Sequence, residues 1–159
     1  MREHIVFTLF LLSAWTGAAQ NVPAGWKIVK DAKGSCQVAV PPDWTLYGDG
    51  TGAAVFHDAT TGIAVVTSQA GQKFKPFTES QLNILDISRD KVFENSAKRL
   101  FYQDRTSRNS DQPNAYSVMT PGHGGTCSSH VVFVPSIPEE TARKICLSLG
   151  PAADEKPEP

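Results

Sequence analysis

Hydrophobic and polar positions alternate in steps of two through much of this chain and fall at spacings of three and four in a few places. Alternation puts successive side chains on opposite faces of a strand, whereas the longer spacing builds one stripe on a helix. The stretch from Thr126 to Leu149 shows both. Cys127, Ser129, Val131 and Phe133 share one face of a predicted strand, and Ser128, His130, Val132 and Val134 share the other. After the break Pro135-Ser136-Ile137-Pro138, residues Ala142, Ile145, Cys146 and Leu149 fall on one side of a predicted helix. Glu139 and Glu140 stand in its first turn and Gly150-Pro151 stop it. The helix is expected to lie back on the strand.

Upstream, 26–30 and 36–40 alternate around the turn residues 31–34, and Pro41-Pro42 stop the second run, so a hairpin is predicted. Residues 43–47 continue past the prolines, with Trp44 expected to fold over a sheet end. Gly48 to Gly52 read as a flexible turn, and 53–57 with 63–67 as a second hairpin. A loop spans 69–76. Thr78 and Gln81 have the capping-box spacing ahead of Leu82, Ile84 and Leu85, which predicts a helix over 79–89. Residues 91–105 fit two patterns. Val92, Phe93, Ala97, Leu100 and Phe101 match a helix face, but the aromatic run Leu100-Phe101-Tyr102 and the need for a partner strand favour a strand or hairpin. A polar loop at 106–114, a strand at 115–120 and a glycine turn at 121–125 complete the path to Thr126. The fold class predicted is α+β, an antiparallel sheet packed by a central helix and a C-terminal helix, forming one domain over 20–150. Residues 151–159 cannot bury apolar surface and are expected to be disordered.

The N-terminus adds a location. A charged head at Arg2 to His4, an apolar run over 5–12 and the small residues Gly17, Ala18 and Ala19 have the form of a secretory signal peptide, cleaved after Ala19. No later apolar run is long enough to span a bilayer. A secreted or periplasmic chain is expected. With 15 basic and 16 acidic residues the net charge is −1, and no basic run stands out, so nucleic acid and anionic membranes are not the expected partners.

Three cysteines in an exported chain permit one internal disulfide. The parity of Cys36 and Cys127 places both with the apolar side chains of their strands, which favours a Cys36–Cys127 link. Cys127–Cys146 is the alternative. His123, Cys127 and His130 form the densest group of metal-ligand types. On a strand, however, Cys127 and His130 point to opposite faces, and a disulfide would remove the thiolate. The plainer reading is a turn histidine and a half-exposed strand histidine. His123-Gly124-Gly125-Thr126 has the form of an oxyanion loop, yet the chain lacks the Gly-x-Ser-x-Gly elbow that such chemistry needs, and a hairpin turn accounts for the glycines. No cofactor is expected.

The order of elements, with Val38-x-Val40-Pro41-Pro42-x-Trp44 ending the first hairpin and Lys144-Ile145-Cys146-Leu147-Ser148-Leu149 closing the last helix, resembles the PsbP-like α/β/α sandwich family, including its exported bacterial members. The resemblance spans 26–149. It implies a sandwich fold and a binding or assembly role without catalysis, and it transfers no site residue. The expected function is therefore an exported, non-catalytic module that binds a protein partner or a small ligand, assumed to be a monomer, with Trp44, Tyr47 and His123 on the binding surface. A metal-dependent or hydrolytic enzyme using His123, Cys127 and His130 is the alternative.

Overall fold

Residues 22–48, 53–57, 62–71, 73–104, 114–133 and 137–153 are described by the computed structural model. The signal-peptide reading of 1–19, the glycines of 49–52 and most of the 106–114 loop lie outside them. Strand β1 (Lys27–Lys30) pairs with β2 (Cys36–Val40), and β3 (Thr45–Gly48), β4 (Ala53–Phe56) and β5 (Gly62–Ala70) follow as a meander. Helix α1 (Glu79–Ile84) and a 3-10 turn at Arg89–Lys91 lead into β6 (Val92–Asn95), β7 (Leu100–Asp104), β8 (Asn114–Gly122) and β9 (Gly125–Phe133). Helix α2 (Glu139–Leu147) and β10 (Gly150–Pro151) end the described chain.

Among the described residues all strand pairings are antiparallel and fall into two sheets. One has the order β1-β2-β10 and the other, of seven strands, β3-β4-β5-β9-β8-β7-β6. The predicted α+β class, a sheet packed by a central and a C-terminal helix, is thus corrected to a mostly antiparallel β architecture with two short helices. The physical reason lies in how little the helices cover. Within its six residues α1 buries only Leu82, while α2 covers just β8 and β9 of the large sheet and abuts β2 of the small one. The small sheet occupies the rest of that face, so sheet packs on sheet where the sandwich reading put helix on sheet. The main core accordingly joins Val38 and Val40 of β2 to Val55, Val118 and Val131 of the large sheet, with Ala142, Ile145 and Cys146 of α2.

Helix α1 is also shorter than the predicted 79–89. Its start is the expected capping box, with Thr78 Oγ1 accepting from the Gln81 amide and the Gln81 side chain reaching back. Its end comes early because Asp86 adopts a left-handed φ of 55°. The Ile87 amide then donates to the Leu82 carbonyl at 2.9 Å and the Asp86 amide to that of Asn83 at 3.1 Å, the Schellman arrangement with aspartate in glycine's usual place. Leu82 and Ile87 meet Leu100 in a second, smaller core on the opposite face of the large sheet, flanked by Phe74, Phe77, Val92, Tyr102 and Met119.

Two further differences follow from contacts that local pattern does not carry. Residues 43–47, expected only to run past the prolines, contribute an edge strand. The predicted disorder from 151 onward is corrected for its first residues, since Pro151 pairs with Cys36 and Ala152 is buried. Ser148, the cap of α2, ties this end down by accepting the Ala39 amide on Oγ at 2.8 Å.

Candidate functional site

Strand parity and register together decide what each face of the seven-stranded sheet presents. On β9, Cys127, Ser129, Val131 and Phe133 are buried towards α2 and the small sheet, leaving Ser128 and His130 on the other side. Register then lines up Tyr102, Ser117, His130 and Val65 in one row across β7, β8, β9 and β5. The neighbouring row is Leu100, Met119, Ser128 and Thr67, and on the far side Asp104 stands in register with Ala115. The small core under α1 covers Leu100 and Met119. Beside it lies a cleft of about 140 Å³, lined by Thr67, Tyr102, Ser117, Met119, Ser128 and His130.

Ser117 is the hub of this cleft. It is buried, its Oγ donates to Asp104 Oδ2 at 2.8 Å, and the same oxygen lies 2.8 Å from His130 Nδ1. Asp104 Oδ2 is itself 3.3 Å from Nδ1. With the serine hydrogen used on the carboxylate, the serine oxygen accepts from Nδ1–H, which assigns the neutral imidazole a lone pair on Nε2. The Tyr102 side chain lines the cleft beside Ser117. Burial raises the Tyr102 pKa above the usual phenol value, the neighbouring Ser117 hydroxyl opposes that rise, and the nearby Asp104 charge adds to it. Across the floor, the Thr67 and Ser128 hydroxyls bond each other at 2.7 Å. The result is an imidazole held by a carboxylate and a buried hydroxyl, beside two further hydroxyls.

A larger open groove of about 480 Å³ runs between α1 and β6, past Phe77, Leu82, Val92 and Asn95. Its polar groups already satisfy one another: Glu79 pairs with Arg89 at 2.6 Å, and the Asn95 amide both donates to and accepts from the Phe77 backbone. It therefore offers fewer groups for a ligand than the smaller cleft.

The residues singled out from the sequence do not converge there. Cys36 and Cys127 form a disulfide, S–S 2.01 Å and Cα–Cα 5.6 Å, joining the two sheets across 91 residues. Cys127 thus has no thiolate to offer a metal, and its side chain lies on the opposite face from His130. Cys146 is free but buried, and burial pushes its thiol far up from the usual range. His123 sits on the exposed β8–β9 turn with Nε2 3.0 Å from the Ala152 carbonyl oxygen. Among the described residues no group of three His, Cys, Asp or Glu side chains stands close enough to hold a metal ion. The alternative set His123, Cys127 and His130 is therefore not assembled.

Trp44 needs the same correction as a binding-surface residue. At 1% exposure it belongs to the main core, edge-on to His57 with ring centroids 5.9 Å apart, because its large ring seals the joint between the sheets. Tyr47 is 68% exposed on the edge strand β3. The glycines after His123 serve backbone geometry. Gly124 has φ +70° in the turn, and a Cβ on Gly125 would lie 1.9 Å from the Gln69 carbonyl oxygen, so β5 and β9 approach closely only with glycine there.

Sequence reading missed Asp104, Ser117 and Tyr102. Parity within each strand puts Ser117 on the face of Ala115 and Met119, but only the β7-β8-β9 register brings it to His130.

No family model matches this chain and no curated protein does. Among solved structures it is similar to one described as a crystal structure from Bacteroides thetaiotaomicron VPI-5482 at 1.50 Å resolution, with 12% identity and a TM-score of 0.49. The match covers 78% of this chain and 47% of that one, so the chain spans about half its length. No helix among the described residues is long and apolar enough to cross a membrane.

Proposed function

We propose that this chain is a small exported module that binds a polar ligand at the His130 cleft and carries out no reaction there. One observation carries the reading: a row of hydrogen-bonding side chains, Tyr102, Ser117 and His130, is braced by Asp104 on a sheet face that α2 and the small sheet leave uncovered. Polar groups fixed in advance lose little freedom on binding, which favours recognition. The sulfur atoms, the strongest nucleophiles in the sequence, are committed to a disulfide or to the core. The disulfide fits an oxidising compartment, and the signal-peptide pattern at 1–19 supports secretion or export to the periplasm.

The test is a small-molecule screen by saturation-transfer NMR on the chain and two variants, Ser117→Ala in the cleft and Tyr47→Ser on the distant edge. Binders are expected to be lost with the first and retained with the second. Binders that survive Ser117→Ala unchanged would move the site elsewhere.

A further inference from the structure

The chemistry of the cleft narrows its ligand, an inference that rests on the binding reading above. We propose that it takes a neutral, hydroxyl-rich molecule, of which a single sugar ring is the type.

Three properties of the cleft lead there. The first is its mixture of hydrogen-bonding roles. With Nδ1–H directed at Ser117 and Asp104, His130 presents Nε2 as an acceptor, while the Thr67 and Ser128 hydroxyls both donate and accept. A polyol carries the same dual groups at short intervals, so it satisfies both kinds without leaving a buried group unpaired. The second is charge. No lysine or arginine lines the cleft among the described residues, and the Asp104 carboxylate stands directly behind the imidazole. An anion would give up its hydration facing a negative group and would find no cation in return. A bare metal ion fares no better, since the cleft offers one imidazole nitrogen and hydroxyls in place of the three or four strong ligands such ions take.

The third is size and wall. At about 140 Å³ the cleft is small and opens to solvent, so it receives one face of a single ring. Met119 and the Tyr102 ring, both half-buried, give one side of it an apolar surface for the C–H face of such a ring.

Histidine-detected NMR on the full chain tests this, with the His130 ring signals assigned by their loss in His130→Gln. Glucose, galactose, mannose and N-acetylglucosamine are titrated in turn, with inorganic phosphate, zinc chloride and methylamine as the contrasting probes. At least one sugar is expected to shift the His130 Nε2 and Cε1–H signals saturably, while phosphate leaves them in place. Ser128→Ala, at a half-exposed position outside both cores, is expected to weaken that sugar about tenfold by calorimetry, the value of one hydrogen bond in a partly desolvated site. A saturable response to phosphate, zinc or methylamine with none to the sugars overturns the ligand class and leaves the cleft as a binding site. No response to any probe overturns the ligand class, and if the small-molecule screen also yields no cleft binder, the binding reading falls with it.

Discussion

The two faces of the seven-stranded sheet come from residues that alternate along the same strands, yet one is dry and the other wet. Towards α2, Phe101, Tyr116, Val118, Val131 and Phe133 stack beneath the small sheet and the helix, and the Cys36–Cys127 bond runs through the layer. Aromatic pairs there lie 5.0 to 5.6 Å apart between centroids, with the Arg143 guanidinium 4.3 Å over the Phe93 ring at the rim. On the other face the apolar cover stops after Leu100 and Met119, and the next row is Tyr102, Ser117 and His130. The difference teaches that cover, more than the strands themselves, decides what a sheet face does: the face roofed by a second sheet holds the fold, and the part left open carries polar groups at no cost to the core.

The largest effect that would break this comparison is on the dry face. Trp44→Ala is expected to lower unfolding stability by about 4 kcal/mol, because it removes a fully buried ring and leaves a cavity between the sheets. Urea unfolding measures it, and a loss near zero would mean that Trp44 does not seal that joint.

A smaller effect separates the layers of the wet face. Ser117→Ala strips the buried hub from Asp104 and His130 and is expected to cost about 1 to 2 kcal/mol. Ser128→Ala, at a half-exposed site whose partner Thr67 can turn to water, is expected to stay within about 0.5 kcal/mol. Equal losses in the two variants would remove the distinction between a braced row and a loose one.

The smallest effect sits at the rim of the dry face and appears only on acidification. The Glu139 carboxylate accepts from the Tyr116 hydroxyl and from Arg143, and these hydrogen bonds hold its pKa below the usual glutamate value of 4.5. A carboxyl depressed in the folded state adds stability that is fully present above the unfolded pKa and fades as pH falls through the folded one. Carboxyl NMR titration is expected to show Glu139 titrating below 4.5, with Tyr116→Phe moving the midpoint back up.

Much of this was legible in the sequence wherever the signal is local. The alternation of Cys127 to Phe133, the stripe of Ala142, Ile145 and Cys146 and the Thr78–Gln81 cap each need only a few consecutive residues, and each element starts within a residue of where its pattern put it, although α1 stops short at Ile84. What pattern could not carry is which element covers which. The small sheet draws β10 from beyond α2 to meet β2, and that pairing spans most of the chain. The class of fold was misread for this reason, since two helix signals suggested helical layers and nothing local announced a second sheet. The cleft was illegible for a related one. Asp104, Ser117 and His130 are polar residues at unremarkable positions in three strands, and their meeting depends on a register set by the whole sheet.

The position of the disulfide has a consequence for the order of events. Synthesis delivers Cys36 first, alone, and its partner follows 91 residues later. Between them come β3 to β8, so the latch between the sheets cannot close until all six strands have been synthesised. Cys146 emerges later still, and its place on the buried face of α2 withdraws it from exchange once that helix docks. Correct oxidation thus comes late in synthesis, after the segments that build most of the large sheet have been made.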